Sequence, residues 1–292
     1  MSRFHYIINK IQAAEITPFP FPHIFIKHIF EESDFSSIAA DPQIKLDLVS
    51  SDLSLFDGLI ESGYSCIPFP GCSTNSDHYL SWHQSRRIDQ CNNVNTCEGF
   101  GLAFKLKTPR SGILNDIVNF FDSLDFYQAC AGRFSIDIER TTKKSGLHKY
   151  LDGYEISPHP DIRKKALTYM VNINPSPFSE ELVYHTHLMT LKKNYKYVQA
   201  FWEGNPSYDR CWLPWDWCHT EVMHSANNSI LLFSPSNSSL HAVKADYNHL
   251  LTQRTQLYGN LWYHDVEVHG KPAWEDFVVT PSPVKRHMSN DY

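Results

Sequence analysis

No run in this chain approaches the roughly 18 consecutive apolar residues of a membrane-spanning helix, and its opening, MSRFHYIINKIQ, lacks the apolar block of a secretory leader. The expectation is a soluble, cytoplasmic or otherwise intracellular protein with no membrane partner. Paired cysteines are missing too. Cys66, Cys72, Cys91, Cys97, Cys130, Cys211 and Cys218 are odd in number and show no C-x-x-C spacing, which argues against a disulfide framework and a zinc ribbon. Without a secretory route, the N-x-S sequons at Asn227 and Asn237 carry no meaning. Positive charge is not in excess: 26 Lys and Arg against 32 Asp and Glu give −6, so no nucleic-acid partner is expected. The longest basic cluster, Arg163 to Lys165, reads as a solvated turn or strand edge. Repeats, low-complexity tracts and Gly/Ser-rich or Pro-rich linkers are also absent. The 292 residues therefore read as a single domain.

What is present is apolar and aromatic material, 42% and 14% of the chain, enough for a buried core and too much for a disordered class. Residues 1–130 read as a mixed helix and loop support region. HIFIKHI reads as a short strand followed by a helix, then comes a loop-rich stretch of about 60 residues carrying clusters such as PFPGCSTNSD. Residues 111–130, SGILNDIVNFFDSLDFYQAC, read as one helix from Ile113, Leu114, Ile117, Phe120, Phe121 and Leu124. Beyond Arg133 the pattern turns to short β-rich runs: FSIDIER, KYLDGYEIS, KALTYMVNIN, ELVYHTHLMTL, SILLFSP, SLHAV and TQLYGNLWYHDVEV. Strand after strand without an intervening helix predicts a mainly β antiparallel barrel or jelly roll over 131–270, buttressed by the helices, with a tail at 271–292.

One spacing in the β-rich half carries chemistry. In ISPHPDIRKKALTYMVNIN, His159 and Asp161 stand two apart, so a strand end would turn both to one face. With 16 histidines, roughly one H-x-D arises by chance, so the pair alone decides nothing. The bland alternative is a core histidine beside a turn aspartate. Pro158 and Pro160 bracket the histidine, as suits a strand end. A third donor is available in His241, just past the apolar run SILLF. Two imidazoles and a carboxylate on one side of a cation leave open positions, the facial arrangement of non-haem Fe(II) oxygenases. A 2-oxo acid chelating such an iron buries a distal carboxylate, which calls for a guanidinium. Arg254, opening the run RTQLYGNLWY, is placed for that role, and Tyr150 could add a hydroxyl.

KYLDGYEISPHPDIRKKALTYMVNIN resembles the Tyr-x-x-Gly…His-x-Asp…Leu-Thr…Leu-Asn stretch of prolyl 4-hydroxylase-type members of the Fe(II)/2-oxoglutarate dioxygenase superfamily. NSILLFSPSNSSLHAV is similar to that family's strand, turn and distal His-x-Val. RTQLYGNLWY is similar to its Arg-led final strand, and PFPHIFIKHIFEESDFSSI to the entry of many members. The resemblance spans about residues 130 to 265 plus that entry. It implies a double-stranded β-helix with His159, Asp161 and His241 as iron ligands and no catalytic residue beyond the metal centre. Arg254 would anchor the cosubstrate 2-oxoglutarate, with Tyr150 as a further contact. Fe(II), 2-oxoglutarate and O2 would be required, with ascorbate as a reductant in vitro. The implied outcome is hydroxylation, desaturation or ring closure at an unactivated C–H bond, and the carboxylate at Asp161 disfavours the halogenases, which have Gly or Ala there. Two features depart from the family. ADYNHLLTQ lengthens the gap from His241 to Arg254, and Gln256 stands where a small hydroxyl residue often follows the arginine; Lys244 is the reserve cation.

Other pairs compete for a metal. His185 and His187 alternate as ligands could, but no glutamate follows at cupin spacing. His219 and Glu221 fall in a loop-like aromatic stretch, and His264 and Asp265 project to opposite faces. Segment 194–218 carries eight aromatics and reads as a substrate lid or a plug of the barrel end. Arg86 and Arg87 are candidates for a substrate carboxylate. The expected substrate is a small amino-acid-like metabolite in an enclosed pocket. Peptidyl (prolyl-type) hydroxylation and a non-catalytic ligand-binding β-barrel are the alternatives.

Overall fold

The computed structural model describes residues 3–69, 76–85, 101–208 and 210–265. Its strands are β1 (Ile24–Lys27), β2 (Tyr64–Ile67), β3 (Ala103–Leu106), β4 (Thr141–Tyr150), β5 (Glu155–His159), β6 (Lys165–Asn172), β7 (Thr186–Leu191), β8 (Cys218–His224), β9 (Ser229–Phe233), β10 (His241–Lys244) and β11 (Arg254–Tyr263). The helices are α1 (Tyr6–Ala13), α2 (Glu32–Ala39), α3 (Asp52–Glu61), α4 (Ser76–Ser85), α5 (Gly112–Phe121), α6 (Leu124–Arg133) and α7 (Tyr197–Gly204). Two antiparallel sheets result, one of seven strands in the order β1-β9-β6-β11-β4-β3-β2 and one of four in the order β5-β10-β7-β8. No helix among the described residues is long and apolar enough to cross a membrane.

Each strand of the larger sheet turns one face to the helices and one to the smaller sheet. On the helix side, Leu147, Leu167, Tyr169, Val171, Leu257 and Leu261 join Phe120, Phe121, Phe126 and Tyr127 in the main core. Tyr169 packs its ring against Phe121, Phe126 and Tyr127. On the other face the register aligns Arg254 with Tyr150, Gln256 with His148 and Asn172, and Asn260 with Lys144 and Thr168. The space between the sheets is thus walled by polar side chains, unusual for a core and usual for a site. Phe21, Met170, Leu188, Leu231 and Phe233 close its far side.

Several expectations from sequence change here. The helix expected over 111–130 is two helices: Ser123 Oγ accepts from Phe126 N and caps α6, so the chain turns at Asp122 and Ser123. FSIDIER forms no strand; its end is a 3-10 turn, Ile138–Arg140. The loop-rich stretch holds α3, β2 and α4, and residues 1–130 contribute β1, β2 and β3 to the larger sheet as well as helices. The aromatic segment contains α7 and 3-10 turns, while β8 emerges at its end. Arg86 and Arg87 lie outside the described residues.

Lys149 sits between sheet and helices, fully buried, with Nζ donating to the Ile44 carbonyl at 2.6 Å and to Thr255 Oγ1 at 2.9 Å. Burial pushes its pKa down to about 7. Folded protein therefore sheds this proton near pH 7 while the unfolded chain keeps it to about 10.4. The cost of the buried charge is relieved as pH rises between those values. Relative to Lys149→Met, the unfolding free energy of the wild type should climb by roughly 1 kcal/mol per pH unit from pH 7 to 9, measured by denaturant titration. A constant difference would mean that the lysine stays charged.

Candidate metal centre

The strand carrying His159 is irregular where it matters. His241 pairs with His159 and Val243 with Ile156, so three steps of β5 match two of β10. This bulge turns His159 inward alongside Ile156, as bulges beside sites commonly do. β5 is an edge strand of its sheet, which is why Pro158 is tolerated within it. Asp161 lies just past the strand, and the turn to β6 brings it back beneath the two imidazoles.

The structure brings His159, Asp161 and His241 together, with one donor atom from each lying within 4.8 Å of the others. Both Nε2 atoms lie 3.8 Å from the same oxygen, Asp161 Oδ1, and the two rings are 4.4 Å apart. His159 Nδ1 donates to the Ser157 carbonyl at 2.8 Å and His241 Nδ1 to the Ser239 carbonyl at 2.9 Å. A carbonyl only accepts, so both protons sit on Nδ1 and both Nε2 lone pairs face Asp161, the backing that orients metal-bound imidazoles. Burial, reinforced by His241, pushes His159 down to about 3, and burial also lowers His241. Both rings are neutral and free to coordinate. Burial raises the Asp161 carboxyl, but Lys165 and the two imidazoles outweigh it and hold the group well below the usual carboxylate range. Two neutral nitrogens and an anionic oxygen, each with a backing hydrogen bond, fit a divalent transition metal.

The carboxylate is held from behind. Lys165 Nζ donates to Oδ1 at 2.5 Å and to Tyr258 Oη at 3.0 Å; Thr168 Oγ1 donates to Oδ2 at 2.6 Å and accepts from Asn260 Nδ2 at 2.9 Å. Trp212 lies 4.8 Å from the His159 ring and Phe233 5.1 Å from His241.

The same small cavity, about 40 Å³, is also lined by Arg254 and Tyr150. Arg254 is 2% exposed. Its guanidinium carbon stands 4.8 Å from the Tyr150 ring centroid and 5.8 Å from that of Tyr154, and Nη2 donates to Thr186 Oγ1 at 3.2 Å. Among the described residues no carboxylate pairs with it. A buried guanidinium without an anion is costly and marks a place for one. Tyr150 presents its ring to Arg254, and its hydroxyl meets His148 Nδ1 at 3.0 Å. The ADYNHLLTQ insertion is part of this end: Tyr247 Oη accepts from Arg254 N at 2.9 Å and donates to the Tyr150 carbonyl at 2.5 Å. Lys244 is exposed and pairs with Glu155, so it does not reach the cavity.

The rival pairs do not converge. His185 is buried, whereas His187 bonds Thr220 and packs on Trp215. His219 and Glu221 are exposed on β8, with Glu221 accepting from Thr190, and His264 and Asp265 are exposed. A second cluster, Asp52, His83 and His249, has metal-like composition. There, however, His249 Nδ1 accepts from Asp152 N at 3.1 Å, so the proton stands on Nε2, 2.7 Å from Asp52. That cluster is a hydrogen-bond relay tying α3 and α4 to the loops after β4 and β10. Lys165, Thr168, Thr186, Trp212, Tyr247 and Asn260 escaped the sequence reading. Of these, Lys165 and Thr168 carried a signal, polar residues on a strand otherwise read as core.

No family model matches the chain, and no curated protein does. Among solved structures, a Pseudomonas putida prolyl-4-hydroxylase is similar at 7% identity over 89% of this chain and 98% of that one, with a TM-score of 0.43. A Trichoplax adhaerens prolyl hydroxylase, solved with a hypoxia inducible factor oxygen degradation domain peptide fragment, is 12% identical over 89% and 88%, with a TM-score of 0.41. A 2OG-Fe(II) oxygenase family oxidoreductase from Burkholderia pseudomallei is 10% identical over 78% and 96%, with a TM-score of 0.31. Likeness at this level carries no functional weight, which rests on the geometry above.

His148 and His224, 5% and 2% exposed, are both pushed down to about 3 by burial first. Below about 6.5 the unfolded chain binds protons that the folded one refuses. Their stabilisation is therefore complete above pH 6.5 and is lost as pH falls toward 3, at up to roughly 1.4 kcal/mol per unit for each ring. Denaturant midpoints should drop steadily from pH 7 to 4.5, and His148→Gln should flatten that slope by about one proton. An unaltered slope would place the uptake elsewhere.

Proposed function

We propose that this chain is a non-haem Fe(II)/2-oxoglutarate-dependent oxygenase that oxidises an unactivated C–H bond of a small amino-acid-like metabolite. His159, Asp161 and His241 would hold the iron, and Arg254 the distal carboxylate of 2-oxoglutarate. One observation carries the reading: a two-imidazole, one-carboxylate set, pre-aimed by backbone carbonyls, shares its cavity with a buried guanidinium that no carboxylate among the described residues pairs with. The two facing antiparallel sheets, flanked by helices, support a double-stranded β-helix built as one domain.

Bound iron would couple oxidative decarboxylation of 2-oxoglutarate by O2, to succinate and CO2, to oxidation of the C–H bond. The chain's own part is positioning and shelter. The Ser157 and Ser239 carbonyls keep both ligand rings in the metal-binding tautomer. Lys165 and Thr168 keep Asp161 ionised and turned toward the imidazoles. Arg254, steadied by the Tyr150 ring and Thr186, offers its remaining N–H groups to a carboxylate. Trp212 and Phe233 flank the ligand rings and exclude water there.

The cavity has room for only about three waters, so cosubstrate entry requires a side chain to withdraw. Phe69 is the candidate, because it fills the space between Tyr150, Tyr154, Tyr258 and His148 from a connecting segment rather than a strand. The aromatic segment favours a small substrate over an extended peptide. Leu213 N donates to the Pro158 carbonyl at 2.8 Å, and Arg163 ties the α7 end to the metal turn through the Trp202 and Asn205 carbonyls. This covers the outer edge of β5, where an open groove would otherwise run.

The test is succinate formation from 2-oxoglutarate with Fe(II), ascorbate and O2, beside Mn(II) binding followed by electron paramagnetic resonance. His159→Ala and Asp161→Ala should abolish both turnover and tight Mn(II) binding. Arg254→Ala should keep Mn(II) binding while raising the 2-oxoglutarate requirement about tenfold to a hundredfold, the worth of a charge-assisted bond pair. Full Mn(II) affinity in His159→Ala would sink the assignment.

A further inference from the structure

Beyond Asp161 the inner wall of the larger sheet becomes cationic. Lys144 stands directly opposite Asn260, whose Nδ2 donates to Thr168 Oγ1, which in turn bonds Asp161. Directly opposed residues share a face, so Lys144 is on the metal side of β4. Its ammonium lies 5.3 Å from the Trp262 ring centroid, and Lys165 Nζ lies 5.6 Å from the same ring. Lys105 pairs with His148 on that face, and its stem crosses β4 at Gly146, where a Cβ would meet Lys105 Cε at 2.4 Å. The bare backbone of Gly146 leaves room for that crossing. Lys105 Nζ ends on the Ser145 carbonyl at 2.6 Å.

Among the described residues only one of these three ammoniums, Lys165, has a carboxylate within ion-pair distance. Such an excess is not a background effect in a chain of net charge −6. Burial first, with Lys107 and Lys144 adding to it and Asp122 partly opposing it, lowers the Lys105 pKa. The indole Nε1–H of Trp262 is buried and finds no acceptor among the described residues. The exposed ammonium of Lys144 beside the Trp262 indole, with the half-buried Lys105 on the same face of the sheet, suits an organic anion, since the cations meet the charge and the ring meets the apolar body.

We propose that Lys105, Lys144 and Trp262 bind the carboxylate or phosphate of a small organic acid, and that this acid is the molecule oxidised at the metal. The wall stands two strands from Thr168, about 10 Å, a distance that a small acid spans. The anion site stands on its own geometry; its identity as the substrate site rests on the oxygenase reading above.

Isothermal titration tests it with benzoate and phenyl phosphate as probes and benzamide as the neutral control. Mn(II) and 2-oxoglutarate are present so that the Arg254 end is occupied. At least one anion should bind ten times more tightly than benzamide or better, and the stronger arm names the anionic group. The double variant Lys105→Gln, Lys144→Gln should lose at least tenfold for that anion, with an unchanged melting temperature and unchanged Mn(II) affinity. Equal binding of benzamide, or full anion affinity in the double variant, overturns the proposal. Anion binding in wild-type protein that fails to take up Mn(II) would instead keep the anion site and overturn the oxygenase reading.

Discussion

The ionised carboxylate of Asp161 is the constraint on which the site depends. A charge at that depth is tolerated only with compensation, and Lys165 and Thr168 supply it from one side while two neutral imidazoles face it from the other. Lys165 has a second partner in Tyr258, and Thr168 has one in Asn260. The ligand carboxylate is therefore fixed through β6 and β11 rather than by its own turn. The ammonium offsets part of the negative charge that a cation would see. The site trades some metal affinity for a carboxylate that stays ordered and ionised.

A second tension runs the other way. At the opposite end of the cavity Arg254 is a buried cation with no carboxylate partner among the described residues, resting on tyrosine rings. Cation–π contacts and one hydroxyl do not replace a carboxylate. Between these ends the inner faces of β4, β6 and β11 carry His148, Asn172, Gln256, Thr168 and Asn260. The protein's stability comes from the helix side of the same strands, where the apolar cluster is continuous. Alternation along each strand thus separates the chemistry from the core that holds it.

The β-rich second half was legible because SILLF, KALTYMVN and RTQLYGNLWY are short, β-branched and bounded by turn residues. The closeness of His159, Asp161 and His241 was expected from the order of the motifs that carry the resemblance, and the placement of Arg254 at the head of β11 from the run RTQLYGNLWY. Other features were not legible for identifiable reasons. β4 begins with TTKKSG, charged and glycine-containing, and becomes a strand only because β11 pairs with it along its full length. β8 has an exposed polar face and is a strand through its pairing with β7. The split of residues 111–130 was readable in principle, since Ser123 with Asp125 in the first turn is a helix-start signal that the apolar periodicity masked.

The sequence by itself determined the local terms: the apolar runs that become β6 and β9, where serines cap helices, and which side chains could ligate a cation. These follow from propensity, periodicity and side-chain chemistry, which act over a few residues. Only the tertiary structure decided that a bulge turns His159 toward His241, that Lys165 backs Asp161, and that the insertion before Arg254 returns Tyr247 to brace it. Those facts depend on register between strands far apart in the chain. Register is set by the whole sheet's burial and hydrogen bonding, which no short stretch encodes.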